Sequence, residues 1–242
     1  MSAPGTLRGV GVGPGDPELM TLKAVRMISA APVVAFFAKA GRQGHARTIA
    51  TQWLTSQHVE VPMHYPVTTE IPHANAAYGT QLASFYDAQA ALLAAHLAQG
   101  RDVSVLCEGD PMFYGSFMHL FIRLKDRFPT QICAGVTGMA GCWSAARQPM
   151  CWGDNVVSIV PGTLPEAVLV ARLASTEAAV VMKLGRNFAK VCRAVAAAWR
   201  MDGALYVERG TMAGERIAPL RDVEGQPAPY FALVLIPGRK DR

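Results

Sequence analysis

Residues 8–30 read RGVGVGPGDPELMTLKAVRMISA. The β-branched run Arg8 to Val12 passes through the turn Gly11-Val-Gly-Pro-Gly-Asp16 into a segment where Leu19, Leu22, Val25 and Ile28 recur at helical spacing. Asp16 stands where a helix N-cap belongs and Pro17 at the first helical position, so the pattern predicts a helix over Pro17 to Ala30. Strand, glycine turn and helix in that order open a βαβ unit, and the rest of the chain repeats the theme. Further strands are expected at Pro32 to Phe37, Val59 to Pro62, Asp102 to Cys107 and Gln131 to Ala134, with helices at Ala46 to Ser56 and Ala76 to Gln99. After the segment Gly138 to Arg147, Gln148 to Asp154 reads as a crossing. A second series follows at Val156 to Val160, Ala178 to Met182, Ala204 to Glu208 and Tyr230 to Ile236. The reading is therefore α/β, with one domain over 1–147 and another over 148–242. Met63 to Asn75 reads as a long proline-containing loop of the kind that serves as a lid or binding loop.

Composition narrows the classes. Of 242 residues, 51% are hydrophobic and 17% charged, which supports a sizeable core and excludes a mainly disordered chain. Lys and Arg number 23 against 18 acids, net +5, but they are dispersed, which argues against a nucleic-acid arm or a membrane patch and suits an anionic small molecule. The longest apolar run, Tyr230 to Ile236, falls well short of the roughly 20 residues a membrane span needs. The N-terminal residues lack a charged start followed by an apolar run, so the expected location is cytoplasmic. Five cysteines without a CxxC pair, and six histidines without HExxH spacing, speak against a disulfide framework and a bound metal.

Three turns stand after strands. In Gly11 to Asp16 a dinucleotide fingerprint is refused, because the glycine spacing fails at Pro14 and Asp16, and the next strand ends near Lys39 instead of an acid. A tight capped turn remains the plain alternative there. Cys107-Glu-Gly-Asp-Pro-Met-Phe-Tyr-Gly115 groups an acid, a turn and two aromatic residues before a helix starting near Ser116, a plausible cradle for a nucleoside. Ala134-Gly-Val-Thr-Gly138 repeats the arrangement, with Thr137 placed either to cap a helix or to meet a ligand. In the second half, Lys183, Arg186 and Arg209 follow strands and either face a carboxylate-bearing substrate or lie as solvated charges. No GxSxG elbow suggests a hydrolase.

GVGVGPGDPELMTLKA at 9–24, LCEGDPMFYGSF at 106–117, AGVTGMAG at 134–141, VMKLGRN at 181–187, ERGTMAGERI at 208–217 and YFALVLIPG at 230–238 together resemble the tetrapyrrole methyltransferase family. Within it, EGDPMFY and the long Met63 to Asn75 segment resemble the members that methylate carbon 20 of precorrin-2 or cobalt-factor II in cobalamin synthesis. The resemblance implies two α/β domains of the class III methyltransferase type. The first sheet would be mainly parallel, the second mixed, and an active-site cleft would lie between the domains. It further implies a homodimer, S-adenosylmethionine as co-substrate and a tetrapyrrole as substrate. By motif position, Pro14, Glu108, Gly109, Asp110, Phe113, Thr137, Gly138, Met182, Gly210 and Thr211 would meet the cofactor. Asp16, Glu108 and Tyr114 would be candidates to take the proton lost from the methylated carbon, and Arg42, Arg47, Lys183, Arg186 and Arg209 would face the substrate's carboxylates. Two other readings stay open: methylation of the cobalt-containing substrate, and a noncatalytic tetrapyrrole or cofactor carrier.

Overall fold

Leu7–Gly11 forms β1, an interior strand of the first of two sheets in the computed structural model, which describes residues 3–66 and 76–240. β2 (Val33–Lys39), β3 (Val59–Tyr65), β4 (Val103–Cys107) and β5 (Thr130–Cys133) complete that sheet in the order β3-β2-β4-β1-β5, and every pairing is parallel. Parallel strands covered on both faces read as continuous apolar runs, and β4, VSVLC, is buried along its whole length. On one face α1 (Leu22–Ser29) and α2 (His45–Ile49) bury Ala24, Ile28 and Ile49 against Val10, Val34 and Leu106. On the other, α3 (Ala76–Ala98) and α4 (Phe117–Leu124) bury Leu93, Leu97 and Leu120 against Leu7 and Val105. The connections leaving the adjacent strands β1 and β4 thus run over opposite faces. In open α/β sheets such a reversal marks the carboxyl ends of the two strands as the place where ligands bind.

The contact division falls between Thr137 and Gly138, ahead of the expected boundary near 147, giving units Met1–Thr137 and Gly138–Arg242. The reason is α5 (Gly138–Ala145), whose Met139, Cys142 and Trp143 pack against Val180, Val207 and Leu233 of the second sheet. That sheet comprises β6 (Val157–Pro161), β7 (Ala178–Met182), β8 (Leu205–Glu208), β9 (Arg216–Pro219) and β10 (Ala232–Ile236), ordered β6-β7-β10-β8-β9. Only β6 and β7 pair in parallel; β10 runs antiparallel between β7 and β8. α6 (Glu166–Ala174) and α7 (Phe188–Ala197) close its other face through Leu169, Leu173, Val191 and Val195.

Several expected boundaries move. The helix predicted over Pro17 to Ala30 is broken: Asp16 caps only a 3-10 turn at Pro17–Leu19, its Oδ1 accepting from Glu18 N at 2.8 Å. Met20 and Thr21 are extended, and Thr21 Oγ1 accepts from Ala24 N at 3.1 Å to start α1 afresh. The helix expected over Ala46 to Ser56 is α2 followed by a 3-10 turn at Thr51–Trp53. Met63 to Tyr65, expected as loop, continue β3 in register with Phe37 to Lys39; residues 67–75 of the expected loop lie outside the described residues. β9 has no counterpart among the expected strands, because it is a short edge strand, largely exposed and without apolar alternation. No helix among the described residues is long and apolar enough to cross a membrane.

Burial near the end of α3 gives a pH dependence. His96 Nδ1 is buried without a partner, and desolvation, helped by the Arg101 charge, lowers the His96 pKa below the ordinary histidine value. Its stabilising share is therefore present above the unfolded-chain value of about 6.5 and is lost as pH falls through the lower folded value, because the unfolded chain takes up the proton first. His96→Leu should lose less Tm than the parent between about pH 7.5 and pH 5, a shift that thermal melts across that range measure directly.

Candidate active site

The turns following β1, β4 and β5 are tied into one structure at the carboxyl edge of the first sheet. Val12 N donates to Cys107 O at 2.9 Å, and Gly109 N donates to Gly13 O at 2.8 Å, continuing the contact of β1 with β4 past the strand ends. Asp110 then joins the second turn to the third: Oδ1 accepts from Met112 N at 2.8 Å and Oδ2 from Gly135 N at 3.1 Å. The glycines make this approach feasible. A Cβ on Gly135 would lie 2.0 Å from Gly109 O and 2.8 Å from Gly11 Cα, and one on Gly11 would lie 2.5 Å from the same carbonyl. Gly109 itself sits at φ +64°, a conformation that disfavours a side chain.

Around this floor stand the other candidate residues of the first unit. Pro14 is half-buried within its turn. Asp16 is held by the capping bond to Glu18 N. Glu108 stays exposed at the edge while its carboxylate accepts from Ala46 N at 3.2 Å at the start of α2. Desolvation by the surrounding protein raises its pKa, partly offset by His45 and by that amide. Phe113 and Tyr114 meet edge to face, ring centroids 4.8 Å apart, and Tyr114 is 48% exposed with φ +52°. Thr137, half-buried, closes the unit. Cys107 is buried and its thiol pushed well above the ordinary value by desolvation, with Glu108 and Asp110 adding to the shift, so it supplies no thiolate nucleophile.

The second unit has a strained edge of its own. Lys183 after β7 has φ +58°, and Arg209 and Thr211 after β8 have φ +51° and +68°. Among the described residues six non-glycine positions have positive φ, and four of them, Tyr114 included, lie in turns that the sequence motifs mark. Strain of this kind collects where the surroundings impose a working geometry. Met182 ends β7 half-buried, its carbonyl accepting from Gly162 N at 2.7 Å. Gly210 is needed for packing, since a Cβ there would lie 2.7 Å from Cys142 Sγ on α5. Thr211 N donates to Glu215 Oε2 at 2.7 Å, but Thr211 Oγ1 is buried with no hydrogen-bond partner. A buried hydroxyl without a protein partner, on a left-handed backbone, is available to a ligand. Gly138 needs no such explanation, for a Cβ there meets nothing within 4 Å.

Of the candidate cations, Arg42, Lys183, Arg186 and Arg209 are exposed. Arg47 is engaged: Nε and Nη2 grip the Glu60 carboxylate at 3.0 and 2.9 Å, a pair that raises the arginine and lowers the acid. Two side-chain roles have no sequence signal. Asp110 is a staple between turns, and Ser116, expected only as a helix start, shares a hydrogen bond with the Tyr65 hydroxyl and accepts one from Tyr86, residues too distant in sequence for any local pattern to link them.

Comparison with known proteins bears on the family and the fold. The family model for Tetrapyrrole (Corrin/Porphyrin) Methylases matches residues 6–224. A precorrin-2 C(20)-methyltransferase of Sinorhizobium sp is 56% identical over 238 residues, 98% of this chain and 97% of that protein. The cobalt-precorrin-2 C(20)-methyltransferase of Salmonella typhimurium is 27% identical, covering 96% of each. Among solved structures, the uroporphyrin-III C-methyl transferase of Thermus thermophilus complexed with S-adenyl homocysteine superimposes with a TM-score of 0.65 over 96% of both chains at 24% identity, which establishes the shared fold. On the family match and the identity across nearly its whole length, the chain belongs to the tetrapyrrole (corrin/porphyrin) methylases.

Proposed function

We propose that this protein transfers a methyl group from S-adenosylmethionine to carbon 20 of precorrin-2, giving precorrin-3A in cobalamin biosynthesis. The observation that carries this reading is the end-to-end identity with the Sinorhizobium relative, which is twice that with the cobalt-precorrin enzyme and so favours the metal-free substrate. S-adenosylmethionine supplies an electrophilic methyl on sulfur, and an electron-rich reduced tetrapyrrole supplies its own carbon nucleophile. What the protein must do is bind and align the two, and alignment alone contributes roughly 7 to 11 kcal/mol of barrier lowering. The residues suit that role. The buried Cys107 thiol at the first unit's edge is not activated, while glycine-narrowed turns and the unpartnered Thr211 hydroxyl offer close backbone and side-chain contact.

In this reading Pro14, Glu108, Gly109, Phe113 and Thr137 line the methyl donor; Gly138, Met182, Gly210 and Thr211 are assigned to it on family resemblance alone. Asp110 acts by holding the second and third turns together. Of the candidate carboxylate acceptors, Glu108 is preferred, because desolvation by the surrounding protein raises its pKa and makes it the better proton acceptor. Arg42, Lys183, Arg186 and Arg209 meet the substrate's carboxylates, and Arg47 does so only by leaving Glu60. Cytoplasmic location and a homodimer complete the proposal on family resemblance, and sedimentation of the purified chain checks the second.

Arg186→Glu should raise KM for the tetrapyrrole about tenfold while leaving methyl-donor affinity within about twofold, as reversal of one charge on a polyanion contact demands. Equal changes in both, or none, would remove Arg186 from the substrate's path. The overall reading is tested by anaerobic single turnover with methyl-labelled cofactor on metal-free and cobalt-containing substrates. Label in the metal-free product supports it; turnover of the cobalt form alone overturns the substrate choice; no label in either tetrapyrrole overturns the enzymatic reading in favour of a carrier.

A further inference from the structure

Ser116 stands at the N-terminus of α4, where a serine usually caps, yet its backbone is helical and its side chain makes no capping bond. Its hydroxyl is instead the meeting point of two tyrosines. Tyr65 Oη, from the last residue of β3, lies 2.5 Å from Ser116 Oγ, and Tyr86 Oη, from α3, donates to the same oxygen at 3.0 Å. Both rings are themselves fixed. Tyr65 stacks on Phe37 at 5.4 Å, and Tyr86 stacks on His119 at 4.2 Å with the planes 15° apart. Three elements therefore converge on one oxygen.

That oxygen is two residues beyond Tyr114, at the far end of the lip Asp110 to Ser116. The near end of the lip is held by the Asp110 carboxylate, through Met112 N and Gly135 N. Between the two anchors the backbone turns left-handed at Tyr114, and Phe113 and Tyr114 pack against each other. A strained segment keeps such a conformation only when both of its ends are held. We infer that Ser116 is a positioning residue for the methyl donor: with Tyr65 and Tyr86 it pins the rear of the lip and so sets where Phe113 and Tyr114 stand. The inference rests on reading the first unit's turns as the donor site; it adds Tyr65 and Tyr86, which the sequence motifs leave out, and gives Ser116 a role beyond that of a helix start.

Calorimetric titration of the full chain with S-adenosylhomocysteine tests it, alongside steady-state kinetics with both substrates. Ser116→Ala should weaken the affinity about tenfold and raise KM for the methyl donor in step, with KM for the tetrapyrrole unchanged. Ser116→Thr, which keeps the hydroxyl, should stay within about twofold of the parent, and Tyr65→Phe should reproduce much of the alanine effect, the double variant falling short of additivity as coupled partners do. Tyr65→Phe also keeps the question decidable should Ser116→Ala fold poorly. A lowered Tm with unchanged donor affinity in both variants would reduce the cluster to a packing feature and overturn the inference. Gly109→Val separates this from failure of the underlying reading. If it abolishes binding while Ser116→Ala and Tyr65→Phe bind normally, the donor site stands and the pin is refuted; if the parent chain binds no S-adenosylhomocysteine, both fall.

Discussion

Gly135→Ala should lose S-adenosylhomocysteine binding beyond calorimetric detection and lower Tm together with it. The added methyl would stand 2.0 Å from Gly109 O and 2.8 Å from Gly11 Cα, and the three nearest atoms are all backbone, so no side chain can swing away to relieve these contacts. Relief requires the third turn to retreat from the first two, stretching the bond from Gly135 N to Asp110 Oδ2 that now measures 3.1 Å. Overpacking of this kind costs about 1–3 kcal/mol, and the displacement falls on the edge proposed to hold the cofactor. Gly79→Ala, at an exposed position of α3 away from this edge, meets nothing within 4 Å and should bind as the parent does, which makes it the control. Retention of full affinity by Gly135→Ala would mean that the tight convergence of the three turns is not what the ligand needs.

Asp110→Ala should be the most damaging single side-chain removal at the same edge. It leaves Met112 N, which is exposed and passes to water, and the part-buried Gly135 N without their acceptor, and the second costs about 1–3 kcal/mol. A loss of about 1–3 kcal/mol in the urea midpoint analysis is expected, accompanied by a donor affinity reduced about a hundredfold. Asp110→Asn keeps one carbonyl acceptor and turns an amide N–H toward the other donor, so it should fall between parent and alanine. A midpoint unchanged in the alanine variant would show that the two bonds are replaced by solvent.

The residue types at this edge are legible from the sequence, but much of their work is not. Glycines at 11, 109 and 135 and the acid at 110 stand out because each follows an apolar run, and strand carboxyl ends of a parallel sheet face a crevice. From one sequence, however, a glycine that admits a ligand and a glycine that admits a neighbouring turn look the same. Only the packed sheet shows that Gly11 and Gly135 serve the second purpose. Asp16 reads as the cap of a long helix, and the extended pair Met20 and Thr21 is hidden because threonine's ability to accept from Ala24 N competes with a helical period that runs through it. β9 escapes notice for the opposite reason: exposed edge pairing leaves no apolar signature. The strain at Lys183, Arg209 and Thr211 has no sequence marker at all, since nothing local favours φ above zero for lysine, arginine or threonine.

The parallel order of the first sheet bears on how the molecule is made. β1, at residues 7–11, finds its hydrogen-bonding neighbours only at 103–107 and 130–133. During synthesis β1 must therefore wait, Val10 uncovered, until β4 and then β5, roughly a hundred residues further on, have left the ribosome. Long-range closure of this kind slows folding and prolongs exposure to aggregation. Demand for chaperone capture should accordingly be greatest in nascent chains halted before β4 and should drop sharply once β5 has emerged.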